Sequence, residues 1–144
     1  MPRETIAIAS DHAGFDLKEA LKAELLAMNF KVLDLGTDSV ESVDYPDFAD
    51  AMAGALGDGR AARGVLICGT GIGIGIAANR HRHVRAAVCH DTVSARLARA
   101  HNDANVLALG ARLLGIEVAK DCLRTFFATA FEGGRHARRV AKLS

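Results

Sequence analysis

From Gly64 to Arg80 the chain reads Gly-Val-Leu-Ile-Cys-Gly-Thr-Gly-Ile-Gly-Ile-Gly-Ile-Ala-Ala-Asn-Arg, an apolar run that ends at a cysteine and opens into glycines. Val65, Leu66 and Ile67 have the continuous aliphatic character of a strand buried on both faces, and Ile74 to Asn79 reads as a helix with little polarity. Between them lies a strand-to-helix turn. Gly69, Gly71, Gly73 and Gly75 have no Cβ, so their amides can approach a ligand closely. The N-terminus of the following helix adds free donors and positive potential. Such a loop suits negative charge, either a bound phosphate or an oxyanion that develops during a reaction. Cys68 stands where that field favours a thiolate.

Two familiar glycine motifs do not fit. A dinucleotide fingerprint needs a glycine three residues after its second one, but Ile74 or Ile76 stands there, and Asp91 is a weak candidate for the ribose acid. The phosphate loop of nucleotide hydrolases needs Gly-Lys followed by Ser or Thr, and no lysine occurs between Lys31 and Lys120. Nucleotide hydrolysis is therefore not expected.

The flanks repeat the strand-then-helix arrangement. Thr5–Ser10 is an apolar strand that ends at Asp11-His12-Ala13-Gly14. Leu17, Leu21, Leu25 and Met28 then recur at helical spacing, with Lys18, Glu19, Lys22 and Glu24 on the remaining surface. Lys31–Asp34 is a second strand. A polar loop from Leu35 to Tyr45 follows, and Pro46 suits the first turn of a helix running through Leu56, with Gly57 to Gly59 as its end. Arg85–Cys89 reads as the fourth strand, Asp91 as the N-cap of a helix carrying Val93, Leu97 and Ala100, and Val106–Leu109 as the fifth strand. A long helix is expected over Ile116–Phe131, stopped by Gly133-Gly134. Five alternations predict an α/β fold, a three-layer α/β/α sandwich around a five-stranded parallel sheet of Rossmann-like type, with a C-terminal helix extension. Ligands in such sheets bind beyond the carboxyl ends of the strands. That rim holds Asp11-His12, Cys68 to Gly73 and His90-Asp91.

With 144 residues, 50% of them hydrophobic and 24% charged, the chain fits one domain, residues 1–144. No apolar run approaches the ~18 residues of a membrane span, and no signal segment opens the chain, so no membrane partner and a cytoplasmic location are expected. Cys68, Cys89 and Cys122 are odd in number and far apart, which suggests reduced thiols. The net charge of +1 gives no global pull toward nucleic acid.

Each candidate has a plain alternative. A free cysteine is commonly a small buried hydrophobe, the reading given to Cys89 and Cys122, whereas Cys68 is set apart by its position. Thr70 is a helix cap or a proton relay two residues from the thiol. Asp11-His12 caps a helix or lines a site. His81, Arg82, His83 and Arg85 match no zinc spacing and read as a solvated loop. His101-Asn102-Asp103 lies at a helix end and is compatible with simple capping. Arg135, Arg138 and Arg139, near the start of a last helix, are a solvated basic surface or a phosphate site.

Taken together, Ser10-Asp11-His12-Ala13-Gly14, Asp44-Tyr45-Pro46, Cys68-Gly69-Thr70-Gly71-Ile72-Gly73, His101-Asn102-Asp103-Ala104-Asn105-Val106, Leu109-Gly110-Ala111-Arg112 and Glu132-Gly133-Gly134-Arg135-His136 resemble the type B ribose-5-phosphate isomerases over nearly the whole chain. The resemblance implies an aldose-ketose isomerase of carbohydrate metabolism, in the pentose phosphate pathway, that interconverts ribose 5-phosphate and ribulose 5-phosphate through an enediol(ate). It implies no cofactor and no metal. Cys68 is then the base between C1 and C2, Thr70 assists proton exchange, and the amides of Gly69 to Gly73, with Gly71 and Ile72 among them, steady the enediolate oxygen. His101 is the ring-opening acid. Asp11 orients sugar hydroxyls, Asn102 and Tyr45 contact the sugar, and His12, Arg112, Arg135 and Arg139 supply donors, several of them to the phosphate. A branch of the family has serine in place of the cysteine and a glutamate at the position of Ile72, so this chain falls in the cysteine branch. The resemblance also implies a homodimer, or a dimer of dimers, whose sites combine Cys68 of one chain with His101 of the other. Related members take allose 6-phosphate or galactose 6-phosphate. A non-catalytic sugar-phosphate binding module and, more remotely, a dinucleotide oxidoreductase are the competing readings.

Overall fold

In the computed structural model residues 3–144 are described; the first two residues of the 1–144 assignment lie outside them. The elements are β1 (Thr5–Ser10), a 3-10 turn (His12–Gly14), α1 (Phe15–Ala27), β2 (Lys31–Asp34), α2 (Tyr45–Gly57), β3 (Arg63–Cys68), α3 (Ile72–Ala78), β4 (Ala86–Val88), α4 (Thr92–Ala100), β5 (Val106–Gly110), α5 (Ile116–Ala128) and α6 (Arg135–Ala141). All strand pairs are parallel, in the order β2-β1-β3-β5-β4.

The strands alternate their side chains between two apolar layers. Ile6, Ile8, Val65, Ile67, Leu107 and Leu109 pack against α1, α4 and α5, while Ala7, Ala9, Leu66, Cys68 and Val106 pack against α2 and α3. Burial of side chains such as Leu66 and Ile67 contributes about 1.5–3 kcal/mol each. Leftward crossovers place α1 and α4 on one face and rightward ones place α2 and α3 on the other, as right-handed connections require. The chain reverses direction between β1 and β3, so the crevice at their carboxyl ends is the switch point at which such sheets bind ligands.

Several sequence expectations change in detail. The expected helix over Ile116–Phe131 ends at Ala128, because Thr129 is extended (φ −103°, ψ 127°) and its carbonyl accepts from Arg99 Nε at 3.2 Å. The fourth strand spans only Ala86–Val88, and α3 begins at Ile72. Val93 lies on the solvent side of α4, where Ala95, Ala98 and Ala100 face the core. Lys18 is not on a wet face. It is 1% exposed, with Nζ donating to Asp34 Oδ2 at 2.8 Å and Glu19 Oε2 at 3.1 Å.

Candidate active site

β3 delivers Cys68 to the carboxyl edge, and its register sets Cys68 beside Gly110 of β5. The loop then turns back on the sulfur, where the Gly71 amide donates to Cys68 Sγ at 3.1 Å. Gly71 has φ +77°, and a Cβ there would meet Leu109 carbonyl carbon at 2.8 Å, so this position demands glycine for conformation and for space. Thr70 Oγ1 accepts from the Ile72 amide at 3.2 Å, and His90 Nε2 lies 3.3 Å from the Thr70 carbonyl oxygen. Two of the loop amides are thus used within the loop. Those of Gly69, Thr70 and Gly73 have no backbone acceptor.

Asp11, Tyr45, Cys68, Gly69, Thr70, Ile72, Gly73 and Arg112 line one cavity of about 350 Å³. Asp11 arrives from the end of β1 and is buried, with Oδ1 accepting from Gly14 N at 3.2 Å, so it caps the turn and lines the cavity at once. His12 stands beside it with Nδ1 accepting from the Val43 amide at 3.1 Å, which ties down the 35–44 loop. Tyr45 packs on Gly73, where an added Cβ would lie 2.7 Å from the ring. Arg112 is held by its own amide, which donates to the Gly69 carbonyl at 2.9 Å. An arginine, a buried carboxylate and a cysteine that accepts a main-chain donor can hold an oxyanion, fix hydroxyls and exchange a proton.

His101, Asn102, Arg135 and Arg139 do not join this cavity. The reason is topological. α4 returns from the carboxyl edge and ends where β5 begins, and Gly64 N donates to Asn105 O at 2.9 Å, level with the start of β3. Gly64 and Cys68 are four residues apart on one strand, about 13 Å. Arg99 fixes this amino edge: it is 8% exposed, and Nη1 donates to Asp103 Oδ1 at 2.9 Å and to the Ala104 carbonyl at 2.7 Å. There the His101 and His136 rings stack, with centroids 4.3 Å apart at 15°. Glu132 Oε1 lies 3.8 Å from His101 Nε2 and 3.6 Å from His136 Nε2. Burial, followed by the charges of His101 and Arg135, holds His136 below the ordinary histidine range. Asn102 lines a second cavity of about 380 Å³ with Asn79, His81, Arg82 and Arg85.

The cluster read as a solvated loop is a loop with Arg82 and His83 exposed, and three of its side chains are also tied down. His81 Nε2 is 2.9 Å from Asp50 Oδ1, His83 Nε2 is 2.7 Å from the Ala53 carbonyl oxygen, and Arg85 Nε donates to the Asp103 carbonyl at 2.8 Å. Sequence reading missed Glu132 and His136 as neighbours of His101, since 31 residues separate His101 from Glu132 and only the fold brings them together. Burial lifts Cys89 above the usual thiol range and Cys122 to about 11, as expected of core cysteines.

The model of the Ribose/Galactose Isomerase family matches residues 6–143. Ribose-5-phosphate isomerase B of Escherichia coli is 46% identical over 139 residues, covering 96% of this chain and 93% of that protein. D-erythrulose-4-phosphate isomerase of Pectobacterium atrosepticum is 45% identical over 140 residues, covering 96% and 92%. Among solved structures, a ribose 5-phosphate isomerase from Thermotoga maritima superimposes with a TM-score of 0.95 at 51% identity, covering 99% of this chain and 98% of its own.

Proposed function

The chain belongs to the ribose/galactose isomerase family, and we propose that it interconverts ribose 5-phosphate and ribulose 5-phosphate, with residues 1–144 acting as one sugar-phosphate isomerase domain. The observation that carries this reading is Cys68, placed at the switch point, accepting the Gly71 amide and facing a cavity that also holds Asp11 and Arg112.

Ring opening comes first. His101 gives a proton to the furanose ring oxygen while the anomeric hydroxyl loses one, and the open aldehyde forms. The Cys68 thiolate then removes the proton from C2, the electron pair moves toward O1, and the enediolate oxygen is met by the unused amides of the Gly69–Gly73 loop. Return of the proton from Cys68 to C1, with transfer from O2 to O1 assisted by Thr70, gives the ketose. Asp11, Tyr45 and Asn102 hold the sugar, and His12, Arg112, Arg135 and Arg139 bind the phosphate end.

This assignment requires two chains, because Cys68 and His101 lie at opposite edges of one sheet. A homodimer brings the amino edge of one protomer to the carboxyl edge of its partner, and two-fold symmetry completes both sites alike. The exposed apolar side chains of Ile72 and Ile76 on α3 and Val88 on the edge strand β4, beside the Cys68 loop, support a partner docked there. A dimer of dimers is compatible with the same contact. Reduced thiols suit the cytoplasm, and among the described residues no helix is long and apolar enough to cross a membrane.

The 45% identity to an isomerase of a four-carbon sugar phosphate favours one alternative substrate class, and the six-carbon allose and galactose 6-phosphates remain comparators. The test is kcat/KM for ribose 5-phosphate, erythrulose 4-phosphate and allose 6-phosphate on one preparation. The highest value is expected for ribose 5-phosphate. A higher value for another sugar reassigns the substrate, and binding without turnover of any of them makes the protein a sugar-phosphate binding module.

A further inference from the structure

At the amino edge two imidazoles turn their Nε2 atoms toward a single carboxylate. The ligand atoms of His101, Glu132 and His136 all lie within 4.8 Å of one another, yet the separations of 3.8 and 3.6 Å from Glu132 Oε1 are too long for hydrogen bonds. A second observation points the same way. His136 is 9% exposed, and its Nε2 is sealed from solvent with no hydrogen-bond partner. A buried polar atom left without a partner is destabilising until a ligand meets it.

We propose that His101, Glu132 and His136 form a binding site for a divalent transition-metal ion of the zinc type, and that the bound ion inhibits the enzyme by occupying His101. The inhibitory half rests on the ring-opening role given to His101; the binding half does not. Two imidazoles and one carboxylate suit zinc, with water as the fourth ligand. Bonds of 2.0–2.2 Å in a tetrahedron set ligand atoms about 3.4 Å apart, so the two Glu132 separations need little closing, while the stacked His101 and His136 rings must turn out of their 15° alignment for both Nε2 lone pairs to meet the ion. Glu132 is exposed and precedes Gly133 and Gly134, whose φ values of 69° and 56° form the turn that points its side chain back over His136. Imidazole donors disfavour calcium and magnesium. Arg135 and Arg139 act on His136 against a cation, and Glu132 is the carboxylate that acts for one. Removal of that carboxylate should therefore have a large effect.

The experiment titrates the metal-free protein with Zn²⁺ against a chromophoric chelator, records the absorption spectrum with Co²⁺, and follows ribose 5-phosphate turnover, for the wild-type chain and Glu132→Gln. The expected result is one Zn²⁺ per chain, a Co²⁺ spectrum without a thiolate charge-transfer band, turnover that falls as the site fills and returns with a chelator, and binding weakened roughly tenfold or more in Glu132→Gln. Equal Zn²⁺ affinity in the two proteins, or a thiolate band that disappears in Cys68→Ala, would overturn the site. Glutamate-dependent binding with unchanged turnover would overturn the inhibitory role. Glutamate-dependent binding by a protein that does not turn over ribose 5-phosphate would uphold the metal site while the isomerase reading fails.

Discussion

At the carboxyl edge of the sheet, Cys68 is held by main chain: a strand fixes its height and the Gly71 amide meets its sulfur. At the amino edge, His101 is held by side chains: Arg99 clamps the Asp103–Ala104 turn, and His136 stacks on the ring. The first edge is rigid because its parts are successive residues of one turn, and it looks into its own cavity. The second is assembled from α4, the segment after α5 and α6, and takes no part in that cavity. On the proposed reading these are two half-sites of different construction, on opposite edges of one sheet, each used against the other half of a partner copy.

The sharpest way to break this comparison is to remove the proposed reacting group of one edge. Cys68→Ala should lower kcat by roughly two to four orders of magnitude with little change in inhibition by inorganic phosphate, since the arginines remain. Near wild-type turnover would remove Cys68 from the chemistry. At the other edge, His101→Ala should reduce ribose 5-phosphate turnover by roughly a hundredfold. Single-turnover enolisation of ribulose 5-phosphate, which has no furanose ring, should show a smaller defect, and equal defects would give His101 another step. Gly71→Ala tests the main-chain construction of the first edge. Strain at φ +77° and the contact with Leu109 should cost about 1–3 kcal/mol in urea unfolding, and an unchanged midpoint would contradict the packing described.

The same difference explains how much was legible in the sequence. The Cys68 loop could be read because its signal is local: an apolar strand, a cysteine, then alternating glycines. The five strands and the parallel order of layers followed from the same kind of pattern. The amino edge could not be read, because His101, Glu132 and His136 meet only after Arg99 reaches from α4 to the Thr129 carbonyl, an interaction that also ends α5 early. Lys18 escaped for a related reason. Helical spacing assigns it to the polar surface, but Asp34, at the end of a different element, draws its ammonium into a part-buried ion pair.

A finer test separates the two kinds of cysteine. Burial raises Cys122 to about 11, so its stabilising contribution is complete below the ordinary thiol value near 9 and is lost as pH rises through the interval between them. Wild-type Tm should therefore fall between pH 8.5 and 11 more steeply than that of Cys122→Ala. In native protein at pH 8, iodoacetamide should modify Cys68, which faces the cavity, before Cys122. Equal rates would show that the two thiols are equally accessible, and equal slopes of Tm with pH would contradict the raised titration of Cys122.

The central claim is that each site takes Cys68 from one protomer and His101 from the other. It is tested most directly by unfolding Cys68→Ala and His101→Ala, refolding them together in equal amounts, and assaying ribose 5-phosphate turnover. Each homodimer is deficient in both of its sites, whereas a mixed dimer gathers both lesions into one site and leaves the other intact. With random pairing about half the dimers are mixed, so about a quarter of wild-type activity should return. A refolded mixture that contains heterodimer by native mass spectrometry, yet is no more active than its parents, would contradict the shared site.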